Sequence, residues 1–177
     1  MKKQLLIMII TILCCALCGC GQDEQSQFDK GTNQSVSFQG INFQIPKEWK
    51  RPDVKFDDSY LAFAEWQEEN KLPTRFLGII FESGIDLTEA LKDRKDAIEI
   101  GEKEGTYLRD YKQTMETIET MDVASVVYNR DIKGQTFEYR ELLLETDEGV
   151  IIMQFSSTDF AGIEDFEKVV NSITKNK

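Results

Sequence analysis

The chain of 177 residues contains no histidine, and it has no cysteine after position 20. Histidine is the usual general base near neutral pH and the commonest nitrogen ligand of transition metals. Ser-His-Asp and Cys-His catalysis therefore cannot be built within this chain. A chain cleaved just before Cys20 would hold one thiol, which excludes an internal disulfide and a zinc site made of thiolates.

Positive charge is also scarce, since 21 Lys and Arg face 32 Asp and Glu, for a formal net charge of −11. Polyanions would be repelled, so nucleic-acid binding is not expected. No glycine-rich phosphate loop is present. With 41% apolar residues, the chain can still bury one substantial hydrophobic core.

Residues 1–19 have the layout of a secretory signal peptide. Lys2 and Lys3 give a positive start, and an apolar run extends from Leu5 to Leu17. The run is shorter than the roughly 18–20 apolar residues that a spanning helix needs, and small residues follow it. A cleaved signal is therefore predicted rather than a permanent transmembrane helix.

The segment Leu17-Cys18-Gly19-Cys20, at the end of this run, resembles the lipobox of bacterial lipoproteins. The resemblance implies cleavage between Gly19 and Cys20, transfer of diacylglycerol to the Cys20 thiol, and acylation of the new amino group. Two or more acyl chains form a stable membrane anchor, since each buried methylene contributes about 0.8 kcal/mol. An ordinary cleaved signal and an uncleaved anchor are the alternative interpretations.

Residues 20–35 are predicted to form the lipidated cysteine and a flexible tether, because they are polar and lack periodicity. Loss of Lys2 and Lys3 with the signal takes the formal net charge from −11 to −13. An anionic bilayer would repel such a chain, so the lipid is the expected contact with the extracytoplasmic face of the cell membrane. Residues 36–177 are predicted to form a single globular domain.

From Val36 onward the pattern is that of an α+β domain. Alternating apolar residues on both sides of Gln39-Gly40 predict a β-hairpin that ends at Pro46. Residues 77–81 are apolar on both faces, as expected of a central strand. Further strands are predicted at 60–66, 75–81, 111–118, 123–130, 136–145 and 150–156.

Two main helices are predicted between and after these strands. Asp86 and Glu89 form a plausible capping box for a helix that runs to about Lys103. Arg94 lies on its apolar stripe, so it must either extend its head group to solvent or pair with a carboxylate, and we expect the former. In the closing helix, apolar residues recur at spacings of three and four: Ile163, Phe166, Val169, Val170 and Ile173.

Strands that cluster around two helices, without alternation of strand and helix, favour an antiparallel sheet of about six to seven strands. The hairpin followed by Pro46-Lys47-Glu48-Trp49, the middle helix, the strand meander and the closing helix resemble the PsbP-like superfamily. That superfamily includes photosystem extrinsic proteins, a Ran-binding import factor and many bacterial lipoproteins. The resemblance implies an α/β/α sandwich used as a docking surface without catalysis, and it assigns no active-site residue; Trp49 is expected to be a packing anchor.

Two groups of carboxylates are candidates for cation binding or for hydrolysis. Asp57, Asp58, Glu65, Glu68 and Glu69 form an acidic stretch that could hold a hard cation such as Ca²⁺, but the spacing of a calcium loop is absent. Glu138, Arg140 and Glu141 share one predicted strand, where Glu138 and Arg140 lie on the same face and are expected to form a surface ion pair. Paired carboxylates can also hydrolyse glycosides, which requires a cleft that holds the two carboxylates about 5 to 10 Å apart.

Six aromatic residues are candidates for anchoring a partner or lining a groove, although most must belong to the core of a domain of this size. They are Tyr107, Tyr111, Tyr128, Phe137, Tyr139 and Phe155. The function that these observations favour is a lipid-anchored binding or adaptor protein, without cofactor, that docks an envelope protein. The alternatives are a small-ligand or cation sensor and a carboxylate-dependent envelope hydrolase; oligomeric state is left open.

Overall fold

The computed structural model describes residues 33–53, 57–65, 73, 75–103, 107–132, 135–157 and 160–176. Side chains are described in these ranges except at 101–103, 107–110, 130–132, 135–137 and 160. The strands are β1 (Asn33–Phe38), β2 (Ile41–Pro46), β3 (Tyr60–Glu65), β4 (Arg75–Ser83), β5 (Tyr107–Ile118), β6 (Met121–Ile132), β7 (Gln135–Thr146), β8 (Gly149–Ser157) and β9 (Thr174–Lys175). The helices are α1 (Leu87–Lys103) and α2 (Phe160–Asn171).

The strands of the described residues form two antiparallel sheets. The large sheet has six strands in the order β3-β4-β8-β7-β6-β5, and the small sheet has the order β1-β2-β9. The predicted α+β class and the two main helices are confirmed, but the strands are divided between two sheets instead of one. Strand β4 lies inside the large sheet with apolar residues packed on both of its faces, as predicted.

The opening hairpin forms where the alternation predicts it. Gln39 and Gly40 have positive φ angles of 45° and 82°, the backbone conformation of a two-residue turn whose twist matches that of the strands. Strand β1 begins at Asn33, so residues 33–35, which we assigned to the tether, pair with β2. The remaining boundaries of signal, tether and domain stay predictions, because residues 1–32 lie outside the described part of the chain.

One face of the large sheet is covered by α2 and the small sheet. The core on this face is apolar, and its aromatic residues are stacked: the ring centroid of Phe155 lies 5.6 Å from that of Trp49 and 4.9 Å from that of Phe166. Trp49 is buried, as expected of a packing anchor. The predicted stripe of α2 supplies Ile163, Phe166 and Val169 to this core, and Ile173 follows just after the helix.

The opposite face of the large sheet is covered by α1. Asp86 caps the helix, since its Oδ1 accepts a hydrogen bond of 2.8 Å from the backbone N–H of Glu89. Leu87, Ala90 and Ile98 then reach a second core, which contains the stacked rings of Tyr128 and Tyr139. In the described part of the chain, neither helix is long and apolar enough to cross a bilayer.

Candidate functional site

A buried ion pair joins α1 to the large sheet. The Nε atom of Arg94 donates to Oε2 of Glu141 at 2.7 Å, and its Nη2 atom donates to Oε1 of the same carboxylate. Arg94 is 8% exposed and Glu141 is 1% exposed. The helical stripe brings Arg94 over the sheet, while the alternation of β7 turns Glu141 to the same side as Leu143.

Two further donors complete the surroundings of this carboxylate. The Tyr128 hydroxyl donates to Oε1 of Glu141 at 2.9 Å, and Nε2 of Gln154 donates to the same oxygen at 2.8 Å. Register explains the convergence: Gln154 lies directly opposite Glu141 on β8, and Tyr128 is on the neighbouring strand β6. We call Arg94, Tyr128, Glu141 and Gln154 the buried network.

The electrostatics of the buried network favour the charged forms of both partners. Burial alone would raise the pKa of Glu141, but the Arg94 guanidinium and the hydrogen bonds from Tyr128 and Gln154 outweigh it and lower that pKa. Burial opposes the charge of Arg94 as well, and the Glu141 carboxylate outweighs it, so that the pKa of Arg94 is raised. A general acid needs a raised carboxyl pKa. The lowered pKa of Glu141 does not suit that role, whereas its contacts with Arg94 suit it to joining α1 to the sheet.

The buried network corrects the prediction made for Arg94. Arg94 does not extend its head group to solvent, because Glu141 supplies a buried counter-ion under the helix. Glu141 points to the opposite side of β7 from Glu138 and Arg140, the two residues predicted to share a face and form a surface ion pair. Those two residues do pair, with Arg140 Nε 2.7 Å from Glu138 Oε1, and Arg140 also contacts Glu167 of α2.

A second buried arginine was not singled out by sequence analysis. Nη1 of Arg75 lies 2.9 Å from Oδ2 of Asp165 and 3.3 Å from Oε2 of Glu65. This group connects the start of β4 to α2, and Gly162 permits the close approach: a Cβ atom there would lie 2.0 Å from the Ser157 hydroxyl oxygen. An arginine at the start of a strand and an aspartate on a helix carry no sequence signal that they meet.

The acidic stretch is divided by the fold. Asp57 accepts a hydrogen bond from the backbone N–H of Ser59 at 3.0 Å and another from its hydroxyl, which together lower the pKa of Asp57. Glu65 faces Arg75. Glu68 and Glu69 lie outside the described residues. Within the described ranges, no group of three or more acidic or cysteine side chains is placed to hold a metal ion.

The candidate aromatic residues belong mostly to the core. Tyr128, Tyr139 and Phe155 are buried, and Tyr111 is half-buried beside the buried network. Burial, together with the Glu141 carboxylate, raises the pKa of Tyr111, and Arg94 opposes the shift. The side chains of Tyr107 and Phe137 lie outside the described part of the structure.

The surface of the large sheet is most open at strand β5, its last strand. The side chains at residues 112–117 are all exposed, on both faces of the strand. Every second residue of an outer antiparallel strand turns its N–H and C=O groups away from its neighbour. We call residues 112–117 the β5 edge, and such an edge can accept a further strand through backbone hydrogen bonds.

One large apolar side chain of the β5 edge, Met115, also reaches solvent. Among the described residues, Met115 is 58% exposed and Ile100 is 48% exposed. Met115 pairs with Ala124, which belongs to the core under α1, so Met115 and helix α1 lie on the same face of the sheet. Sequence analysis missed this surface, although the charged and polar side chains that predominate on both faces of residues 112–117 are typical of a strand at the edge of a sheet.

The opposite end of the sheet is covered. Residues of β3 are buried almost throughout, and the segment that follows the opening hairpin lies along this strand. The backbone N–H of Lys50 donates to the carbonyl oxygen of Ala64 at 2.8 Å, and the N–H of Ala64 donates to that of Lys50 at the same distance. Of the two outer strands of the large sheet, β3 and β5, strand β5 therefore has the longer open edge.

The predicted lipidation and cleavage residues, Gly19 and Cys20, lie outside the described part of the structure. Their assignment remains a prediction from the sequence.

No protein-family profile matches the chain, and no curated protein matches it. Solved structures of the same fold do exist. Cyanobacterial PsbP (CyanoP) from Synechocystis sp. PCC 6803 is similar with a TM-score of 0.63 and 13% identity, over 90% of this chain and 98% of that one. The Ran-binding protein Mog1p of Saccharomyces cerevisiae is similar with a TM-score of 0.56 and 11% identity, over 81% and 95%.

LpqN of Mycobacterium tuberculosis, described as involved in cell envelope biogenesis, is also similar, with a TM-score of 0.52 and 12% identity. This likeness covers 88% of this chain and 100% of LpqN. At such low identity these similarities show the fold alone. The fold is PsbP-like, as the sequence motifs predict.

Proposed function

We propose that this protein is a lipid-anchored binding or adaptor protein on the extracytoplasmic face of the cell membrane, without catalytic activity, that docks a protein partner. The observation that carries the docking proposal is the open β5 edge, where backbone groups and the exposed Met115 are offered together. Addition of a strand to an open sheet edge is a recurrent mode of protein recognition.

The state of the buried charged groups supports a binding role over a hydrolytic one. Glu141 is enclosed by three donors under α1, and its pKa is lowered. Asp165 is likewise fully buried and faces Arg75. These carboxylates hold helices to the sheet, and Glu141 would need a raised pKa, the opposite of its own shift, to protonate a leaving group.

The N-terminal sequence supports the anchor. The lipobox-like segment that ends at Cys20 follows an apolar run, and the polar residues after it provide a tether of about a dozen residues before β1. The fold supports partner docking and a role at the cell envelope by analogy alone, since it is shared with a Ran-binding protein and with a protein involved in cell envelope biogenesis.

Docking can be tested by placing a photoreactive amino acid at Met115 of the full chain in its own cells. A control chain carries the same group at Lys92, which is exposed on α1. After irradiation, we expect Met115 to give a discrete protein adduct that the control lacks. Identical adduct patterns from the two positions would contradict docking at this edge.

Anchoring can be tested with Cys20→Ser, and Cys18→Ser serves as the matched control, because position 18 is not the predicted lipid acceptor. We expect Cys20→Ser to abolish lipidation, measured by mass spectrometry of the N-terminal peptide, and to release the protein from membranes. Cys18→Ser should behave as the parent chain. A Cys20→Ser chain that is still cut at the same site and still membrane-bound would refute the anchor.

A further inference from the structure

The β5 edge is complementary in charge to a second copy of itself. Lys112, Thr114 and Glu116 are spaced two apart and are exposed, so their side chains share one face of the strand. When two such strands run antiparallel with Thr114 opposite Thr114, Lys112 of each copy lies opposite Glu116 of the other. Oppositely charged residues placed directly across an antiparallel pair stabilise it, while like charges destabilise it.

We propose that the β5 edge pairs antiparallel with the β5 edge of a second copy of this chain, centred on Thr114, so that two large sheets become continuous. This inference rests on the proposed docking function and names its occupant. The same register places Met115 opposite Gln113 of the other copy, on the face covered by α1. The exposed apolar surface of Met115 would thereby be partly covered.

The symmetry of this pairing agrees with anchoring in one membrane. The two-fold axis that relates two antiparallel strands runs perpendicular to their sheet, so each element keeps its side of the sheet in both copies. Strand β1, which follows the tether, belongs to the small sheet on the α2 side. The β1 strands of both copies therefore lie on the same side of the combined sheet, and joint anchoring raises the effective concentration of the two edges.

The register is selected by local features. The formal net charge, −11 for the full chain and −13 after loss of Lys2 and Lys3 with the signal, disfavours contact between copies at most surfaces, so a specific contact needs local complementarity. A bulge between Arg109 and Lys112 interrupts the ladder of β5 on one side of the edge, and the turn that follows Ile118 ends it on the other. The regular segment between these limits contains Thr114 together with Lys112 and Glu116, the residues that the proposed pairing joins.

A cysteine crosslink tests the register in the full, membrane-bound chain. Across an antiparallel pair, opposite Cα atoms lie about 4.5–5.5 Å apart, within the range that a disulfide spans. Thr114→Cys should therefore give a disulfide-linked dimer on mild oxidation. Thr117→Cys is the matched control, because its two copies would lie about 20 Å apart along the strands. The parent chain reports any background from its own cysteines.

Charge exchange tests the complementarity, with Thr114→Cys as the reporter. Lys112→Glu or Glu116→Lys alone replaces both attractive pairs with like-charged pairs, and we expect dimerisation about tenfold weaker. The double variant Lys112→Glu with Glu116→Lys restores both pairs with reversed sign and should recover the crosslink. Unchanged circular dichroism of each variant confirms that the exposed substitutions leave the fold intact.

The outcomes separate this inference from the proposed function. Crosslinking at position 114 but not at 117, lost in the single variants and regained in the double variant, would support pairing of two copies. Equal crosslinking at both positions, or failure of the double variant to recover it, would overturn that pairing. Crosslinking of Thr114→Cys to a different protein would also overturn it, yet would leave partner docking intact; anchoring is assessed separately through Cys20.

Discussion

The two faces of the large sheet are covered by side chains of different kinds. Helix α2 and the small sheet cover one face with apolar and stacked aromatic side chains, including Trp49, Phe155 and Phe166. Helix α1 covers the other face and brings a charged residue, Arg94, into its buried stripe. A helix with few large apolar residues can still be held to a sheet when an opposite charge and further donors lie beneath it.

The two faces differ in how their contacts should respond to substitution. On the α2 face, the loss of a side chain removes dispersion contacts and leaves a cavity. On the α1 face, the loss of one partner leaves a buried charge without its counter-ion. The loss of both partners leaves no buried charge, so that cost is avoided. The predictions below use this contrast.

Trp49→Ala should have the largest effect. Trp49 is fully buried and stacked on Phe155, so its removal should lower the free energy of unfolding by about 4 kcal/mol. Urea denaturation of the secreted Cys20→Ser chain measures this difference. Met115→Ala is the control, because Met115 is exposed and should cost less than about 0.5 kcal/mol. Similar losses in the two variants would show that Trp49 is not a packing anchor.

Glu141→Ala should lower the free energy of unfolding by about 3 kcal/mol, because the buried Arg94 loses its counter-ion. Glu138→Ala on the same strand is the matched control. Its carboxylate is partly exposed and pairs with Arg140, so a cost below about 1 kcal/mol is expected. The same urea titration compares the two variants. If Glu141→Ala lowered the free energy of unfolding as little as Glu138→Ala does, the ion pair of Arg94 and Glu141 would be exposed to solvent.

The double variant Arg94→Met with Glu141→Leu should be within about 1 kcal/mol of the parent chain, because neither substituted side chain carries a buried charge. The two substitutions together would then cost less than Glu141→Ala alone. This result would distinguish the α1 face from the α2 face, where a second truncation adds to the first. A double variant less stable than Glu141→Ala would contradict the interpretation.

The smallest expected effect is on the dependence of stability on pH. The folded-state pKa of Glu141 is lowered, so its stabilising contribution is complete above its unfolded pKa of about 4.3 and is lost as the pH falls through the folded-state value. The parent chain should therefore lose stability more steeply below about pH 4.3 than the double variant. Urea midpoints measured from neutral pH down to about pH 3 test this, and equal slopes would contradict it.

The elements themselves were largely predictable because their signals are local. The turn at Gln39-Gly40, the cap at Asp86 and the apolar stripe of α2 appear in the structure where the sequence places them. The polar composition of β5 was visible too, but its consequence was missed. Periodicity indicates which face of a strand is apolar, whereas the position of a strand within the sheet follows from its pairing partners.

The candidate site was less predictable, because its contacts join distant positions. Arg94 and Glu141 are 47 residues apart, and Arg75 and Asp165 are 90 residues apart. We assigned Arg94 to the surface because helical spacing alone does not show what lies beneath the helix. The same spacing is compatible with an extended head group and with a buried pair, and only the register of β7 under α1 distinguishes them.

Composition and local pattern were sufficient to exclude histidine chemistry and to predict an α+β domain, and they include a segment ending at Cys20 that resembles a lipobox, since these properties depend on composition or on residues that are neighbours in the chain. The division into two sheets, the burial of Glu141 and the openness of the β5 edge were decided by tertiary packing. Each depends on which distant segments lie side by side, and that choice reflects the packing of the whole core rather than any local preference.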